Sequence, residues 1–229
     1  MMIKIGVSKG RIEKDFYKLL EKAGYNVDLI LTKGRKLNII TSDNIEYIFM
    51  KPNDIVNFVN YGILDAGIVG NDTVDEYSYE RENNHNCDEL LDLNIAEGCF
   101  CLARLKNKDN ISKIVTIASK YPFVARKYFL EKYGIDIKVI KLEGSVELGP
   151  ILGISDAIVD IVETGNTLKA NELEVLDIFS RISTRYIVNK SRYQEKKAEI
   201  NSMIARLKNV INISDNVQNV RERALLMRR

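Results

Sequence analysis

Thr164, Gly165, Asn166 and Thr167 follow directly on an apolar run, Ala157 to Val162, that is broken only by Asp160 and closed by Glu163. Two hydroxyls, a glycine and several amide N–H groups at the start of a helix make a cradle suited to a phosphate. Glu163, and Asp160 before it, can accept hydrogen bonds from a sugar diol beside that phosphate. The segment as a whole therefore suits a sugar phosphate. The tetrapeptide alone also reads as a turn and helix cap, because Thr and Asn cap helices and Gly makes the bend.

Other polar clusters sit where strands end. Lys9-Gly10-Arg11 follows the first apolar run, and its glycine permits close backbone approach to an anion. Arg35 lies in Lys33-Gly34-Arg35-Lys36-Leu37, Lys51 ends a third strand and Gly70-Asn71-Asp72 a fourth. In wound α/β sheets ligands bind outside the carboxyl ends of the strands, so these groups can share one site. Cations on one side and a sugar-phosphate loop on the other suit a ligand with phosphates at both ends. His85-x-Cys87 has no second ligand pair and reads as a solvated loop rather than a metal site. Cys99 and Cys101, two apart on a strand, face one way and do not bridge each other.

The elements that must position these groups alternate. Strand 2–7 leads through Ser8–Arg11 into a helix with Ile12, Phe16, Leu19, Leu20 and Ala23 on one face. Residues 45–50 read as a strand, Lys51–Asp54 as a turn and N-cap, 55–62 as a helix, and 64–69 as a buried strand. Residues 77–92 are polar and acidic and read as a loop excursion. Strands near 98–104, 113–118 and 135–142 follow, with a helix from about 121 to 133 and a loop, 143–147, before the next helix. A helical pattern is read after Thr167 through Leu173. This rhythm argues for wound, parallel sheets. A faint echo, Gly62–Ala66 against Gly153–Ala157, mildly favours two similar lobes. Residues 191–209 form a charged helix with Met203, Ile204 and Leu207 as an apolar stripe, expected to dock on the body. Arg221 to Arg229, with Leu225, Leu226 and Met227 among arginines, reads as a frayed tail or a partner-binding helix.

The chain has 229 residues, 34 Lys plus Arg and 32 Asp plus Glu, so no charge excess calls for a polyanionic partner such as nucleic acid. No apolar stretch reaches membrane-spanning length, and Met1–Val7 turns polar too soon for a signal peptide; a cytoplasmic location is the expectation. With a single histidine in a loop, any chemistry here is expected to proceed without a histidine base.

Seven segments occur in order: Ser8–Arg11, Arg35–Leu37, Pro52-x-Asp54-Ile55, Asp65–Asp72, Ala118–Pro122, Gly144–Pro150 and Asp160–Asn171. Together they resemble the ATP phosphoribosyltransferases, the first enzymes of histidine biosynthesis, in their short, catalytic-subunit form. The resemblance runs from residue 2 to about 190. It implies an α/β fold of two lobes like the type II periplasmic binding proteins, each a mainly parallel sheet flanked by helices, with the active site in the cleft. Residues 1–92 plus about 181–208 would form one lobe and 93–180 the other, leaving 209–229 as a tail without assigned role.

The resemblance also implies transfer of the 5-phosphoribosyl group from phosphoribosyl pyrophosphate to N1 of ATP, releasing pyrophosphate. Mg²⁺ is the implied cofactor, held mainly by substrate with no dedicated metal ligands in the chain. The implied partner is a regulatory subunit resembling histidyl-tRNA synthetase, in a hetero-oligomer that by family resemblance is a hetero-octamer. Phosphoribosyl pyrophosphate would be bound by Asp160, Glu163, Thr164, Gly165, Asn166, Thr167 and Leu168. Lys9, Gly10, Arg11, Gly70, Asp72 and Glu147 would line the ATP side, with Arg35, Lys51, Lys9 and Arg11 as the catalytic cations. The family commonly has Arg where this chain has Lys51, which keeps the charge and loses the bidentate fork. The alternatives are another phosphoribosyltransferase, or a non-catalytic anion-binding or sensor domain of the same fold.

Overall fold

Ile3, Ile5 and Val7 alternate with small or polar residues, and they form β1 (Ile3–Ser8) in the computed structural model, which describes residues 1–106 and 114–226, the last helix by its backbone alone from residue 214. β1 is the centre of a sheet because both neighbours, β3 (Ile45–Met50) and β4 (Ala66–Gly70), run parallel to it. The helices α1 (Arg11–Lys22) and α3 (Pro52–Asn60) make the crossovers, with the short α2 (Asp28–Leu31) between them. β2 (Asn38–Ile40) pairs antiparallel with β3, and β11 (Thr184–Asn189) lies antiparallel between β4 and β5 (Cys87–Asp92). The sheet order among the described residues is β2-β3-β1-β4-β11-β5. Its core holds Phe16, Tyr47, Phe49 and Tyr186, with Ile200, Met203, Ile204, Leu207 and Ile211 of α9 (Lys197–Leu226) packed against it. The expected docking of that apolar stripe is thus observed. α8 (Lys190–Glu195) leads into α9, and Lys196 between them donates to the buried Asp65 carboxylate at 2.7 Å.

The contacts divide the chain into two compact units. One comprises Met1–Thr73, His85–Ala96 and Ser183–Arg229, the other Val74–Asn84 and Glu97–Ile182. The second unit contains the sheet β10-β6-β9-β7-β8, built from β6 (Gly98–Leu105), β7 (Thr116–Ser119), β8 (Lys138–Lys141), β9 (Ala157–Val162) and β10 (Leu173–Ile182). β7 pairs parallel with β8 and β9, whereas β6 runs antiparallel to β9 and β10. α5 (Pro122–Tyr133) covers one face with Tyr128 and Phe129, and its first amides, at Phe123 and Val124, donate to the Glu76 carboxylate of α4 (Asn71–Glu80). Glu76 thereby does the work of an N-cap from a neighbouring helix.

Several expectations are corrected. Both sheets are mixed: the first has its parallel strands β3-β1-β4 in the middle, whereas in the second β9-β7-β8 run parallel out to one edge and the antiparallel β6 and β10 complete the other. The acidic stretch 77–92 is not an open loop: α4 continues to Glu80 and β5 forms over 87–92. Its acidity has a structural use, since Glu89 and Asp92 on β5 pair with Arg185 of β11 across the ladder, and Cys87 is buried. The helix after Thr167 is short, α7 (Asn166–Ala170); Glu172 takes a left-handed φ of 58° and Leu173 begins β10. α3 starts at Pro52 with Lys51 as its cap residue, so Asp54 sits in the first turn instead of capping it. The strand read from 113 begins at Thr116, with Ile114 and Val115 outside it and position 113 outside the described residues, and Leu225, Leu226 and Met227 lie outside the described side chains.

Candidate active site

β9 leads into the Glu163–Thr167 segment. Its first half, Ala157 to Val159, is fully buried, so the strand is fixed while its last residues reach the sheet edge. Gly165 then turns the chain with φ 73°, a left-handed conformation that L side chains rarely adopt, and caps α7. The first amides of so short a helix have no place in its own hydrogen-bond ladder and are donors for an anion. Glu163, Thr164, Asn166 and Thr167 are exposed around that turn. A cavity of about 360 Å³ is lined by Glu147 and by residues Asp160 to Leu168. Leu168 borders this cavity, but its side chain is buried with Ala118, Val146, Ile158 and Leu173, so it anchors the loop from below instead of presenting a binding group.

Asp160 is the unusual titratable group of the cavity. Burial raises its carboxyl from the ordinary 3.8 to about 6; the Ile161 amide and Lys120 oppose that rise and Glu147 adds to it. Glu147, expected on the nucleotide side, therefore shares a cavity with the Asp160–Leu168 segment and acts on the Asp160 carboxylate. Lys120, which has no assigned role in the sequence reading beyond its motif, is the cation acting on this carboxylate. Across the ladder from Asp160 stands Cys101, whose thiol burial pushes up to about 12, so it is no nucleophile near neutral pH.

The first unit gathers the cations. Parallel register sets Ser8 opposite Met50, and the Lys9 amide donates to the Met50 carbonyl at 3.1 Å, so Lys9 and Lys51 leave adjacent strands side by side. β2 runs the other way, with Asn38 opposite Ile48 and the Phe49 amide donating to the Leu37 carbonyl, which brings the Arg35 loop to the same carboxyl edge. Lys9, Arg11, Arg35 and Lys51 are all exposed there. On the other side of β1, β4 ends at Gly70, where a Cβ would overlap Asp72 Oδ1; the glycine lets that carboxylate lie against the strand end. Lys9, Gly10, Arg11, Arg35, Lys51, Gly70 and Asp72 thus share one edge of the first unit, whereas Glu147 and Asp160 to Leu168 share one cavity of the second.

Comparison with known proteins adds to this geometry. Residues 51–209 match the family described as ATP phosphoribosyltransferase. The chain is 46% identical over 210 residues to the ATP phosphoribosyltransferase of Lactococcus lactis subsp. cremoris, covering 91% of this chain and 98% of that one. It is 45% identical over 218 residues to the protein of the same name from Clostridium novyi, covering 92% and 98%. Among solved structures it resembles the ATP phosphoribosyl transferase (HisG:HisZ) complex from Thermotoga maritima, with a TM-score of 0.76, 32% identity and coverage of 93% and 99%. It also shares a fold, at 13% identity and a TM-score of 0.58, with the periplasmic aliphatic sulphonate binding protein SsuA from Escherichia coli, covering 95% of this chain and 75% of that one.

Proposed function

The chain belongs to the ATP phosphoribosyltransferase family and transfers the 5-phosphoribosyl group of phosphoribosyl pyrophosphate to N1 of ATP in the first step of histidine biosynthesis, and from that premise we propose the role of each part of its site. The 5-phosphate is held by Thr164, Gly165, Asn166 and Thr167, with Leu168 as the buried anchor. Asp160 and Glu163 accept hydrogen bonds from the ribose hydroxyls. Lys9, Arg11, Arg35 and Lys51 face the pyrophosphate or the ATP phosphates, and Gly70, Asp72 and the Gly10 backbone line the nucleotide. Glu147 acts with Asp160 at the ribose. The observation that carries this reading is the cavity lined by Glu147 and Asp160–Leu168, where an anion cradle adjoins three carboxylates.

Adenine N1 brings its own lone pair, so no strong base has to form the bond to ribose C1. As that bond forms, the bond from C1 to pyrophosphate breaks, and the ribose passes through an oxocarbenium-like state. The protein's contribution is to orient the two substrates and to place fixed charge where charge develops. Cations at the carboxyl edge steady the leaving pyrophosphate; carboxylates beside the ribose suit its transient positive charge. Mg²⁺ would be carried mainly on substrate oxygens, since among the described residues no group of three or more His, Cys, Asp or Glu side chains could hold a metal ion. When bound it spreads the negative charge of pyrophosphate.

The Thermotoga maritima relative was solved as a HisG:HisZ complex, and we propose that this chain likewise assembles with a separate regulatory subunit as a hetero-oligomer. No helix of the described residues is long and apolar enough to cross a membrane, and a cytoplasmic location suits a biosynthetic enzyme using ATP. The test is a calorimetric titration of the chain with Mg²⁺–phosphoribosyl pyrophosphate against ribose 5-phosphate as control. Saturable binding, weaker for the control, is expected. A well-folded chain that binds neither ligand would reject the assigned loop, because that loop lies wholly within this chain.

A further inference from the structure

The proposed catalytic cations of the first unit come from three separate loops, and something must fix the distances among them. Glu13, in the first turn of α1, touches two of these loops at once. Its Oε2 accepts from the Gly10 amide at 3.4 Å, between Lys9 and Arg11. Its Oε1 accepts from the Tyr17 hydroxyl at 2.6 Å and pairs with Lys33 Nζ at 3.1 Å. Lys33 precedes Arg35 by two residues, and its ammonium lies 4.4 Å from the centre of the Phe49 ring. Both charged side chains are mostly withdrawn from water, Lys33 at 15% and Glu13 at 13% exposure.

An ion pair this dry is a poor device for stability, because desolvation offsets most of its attraction; its best-attested use is to fix one arrangement over others. Burial works against the Glu13 carboxylate, yet Tyr17, Lys33 and the Gly10 amide together hold it below its ordinary range. Lys33 stands apart from its neighbours Lys36 and Arg35, which are exposed: it alone turns inward. Gly10 itself adopts φ 103°, a conformation that leaves its amide pointing back to Glu13.

We propose that Glu13 and Lys33, supported by Tyr17, are positioning residues that clasp the Lys9–Arg11 loop to the Arg35 loop and so set the spacing of the cations that receive the polyphosphate. The inference rests on the reading of those cations given above. Neither residue touches substrate. Each acts through the loop it holds, so its loss lowers kcat more than it raises KM for either substrate, because misplaced charge costs most in the transition state.

The test uses the full chain with its regulatory subunit for kinetics and the full chain for exchange. Lys33→Met keeps the stem on Phe49 and removes the charge; Lys33→Arg keeps the charge. Lys33→Met is expected to lower kcat about tenfold or more, as small misplacements do, with Lys33→Arg recovering most of it. In an Arg35→Ala background the same Lys33→Met change is expected to cost much less, because the two act as a unit. Amide exchange in residues 9–11 is expected to quicken in Lys33→Met although position 33 is distant in sequence. Unchanged exchange there overturns the clasp. Altered exchange with unaltered kcat, or a kcat loss that is fully additive with Arg35→Ala, overturns its positioning role. Arg35→Ala without effect on turnover would instead reject the reading of Arg35, leaving the exchange result to judge the clasp by itself.

Discussion

Replacing Asp160 by Asn sets stability against binding within one side chain. The carboxyl titrates near 3.8 in an unfolded chain and near 6 in the fold, mainly because burial disfavours its charge. A rise of about 2 units corresponds to about 3 kcal/mol of folding stability given up once the group is ionised. Asp160 is only partly buried and borders a cavity, so about 1–3 kcal/mol is the expected gain for an Asn that cannot ionise. The sign follows from the raised value: below pH 3.8 both states are protonated and nothing is gained. The gain grows between pH 4 and 6 and is complete above that. At about 2–4 °C per kcal/mol for a chain of this size, Asp160→Asn should melt several degrees higher than the parent at pH 8 and almost with it at pH 4. Binding runs the other way, since charge-assisted hydrogen bonds to the ribose diol are lost at about 1.5–3 kcal/mol. Melting curves at both pH values, paired with titration of Mg²⁺–phosphoribosyl pyrophosphate at pH 8, read both effects. An Asn variant no more stable than the parent at pH 8, or more stable by the same margin at both pH values, would refute the desolvation argument. Tighter ligand binding would refute the ribose role.

Arg35→Ala is expected to lower turnover by at least about tenfold, as loss of a preorganised charge does, while the melting temperature stays put because the side chain is exposed; a rate equal to the parent's removes Arg35 from the mechanism. Gly165→Ala places a Cβ on a residue with φ 73°, which should strain the loop by about 1 kcal/mol and weaken phosphoribosyl pyrophosphate binding more than ATP binding; equal effects on both ligands would count against the loop assignment. Glu76→Ala leaves the Phe123 and Val124 amides without their acceptor, and should destabilise the chain by about 1 kcal/mol in denaturant unfolding without changing ligand affinity.

The strands that carry the chemistry were legible because their signals are local. β1, β3, β4 and β9 are short apolar runs closed by Gly or polar residues, and the structure places their ends within a residue of the expectation, except that β4 begins two residues later than read. The loop from Glu163 to Thr167 was legible for the same reason. What the sequence hid were features made by distant partners. β5 looked like a loop because its acidic residues are balanced by Arg185 and Lys190, about a hundred residues away. That Glu147 shares a cavity with Asp160 was not legible either, because nothing local ties the two together. Glu13 was visible in principle: a Glu three residues after a helix-start glycine is the pattern of a capping residue that reaches back to the chain entry. Its tie to Lys33, by contrast, depends on the tertiary fold.

α3 lies so close to the sheet that Gly6 and Gly67 have no room for a side chain. A Cβ on Gly6 would stand 2.7 Å from Leu64, and one on Gly67 would stand 2.5 Å from Ile55. Ile55 donates its amide to the carbonyl of Lys51 at 3.3 Å, so whatever displaces Ile55 displaces the lysine as well. Two positions in the middle of strands, with no substrate in reach, are thereby bound to the placement of a charge at the strand ends. A side chain added at either glycine is therefore felt at a distance, in the seating of a helix and of the lysine at its start, by a reaction that the glycine itself never meets.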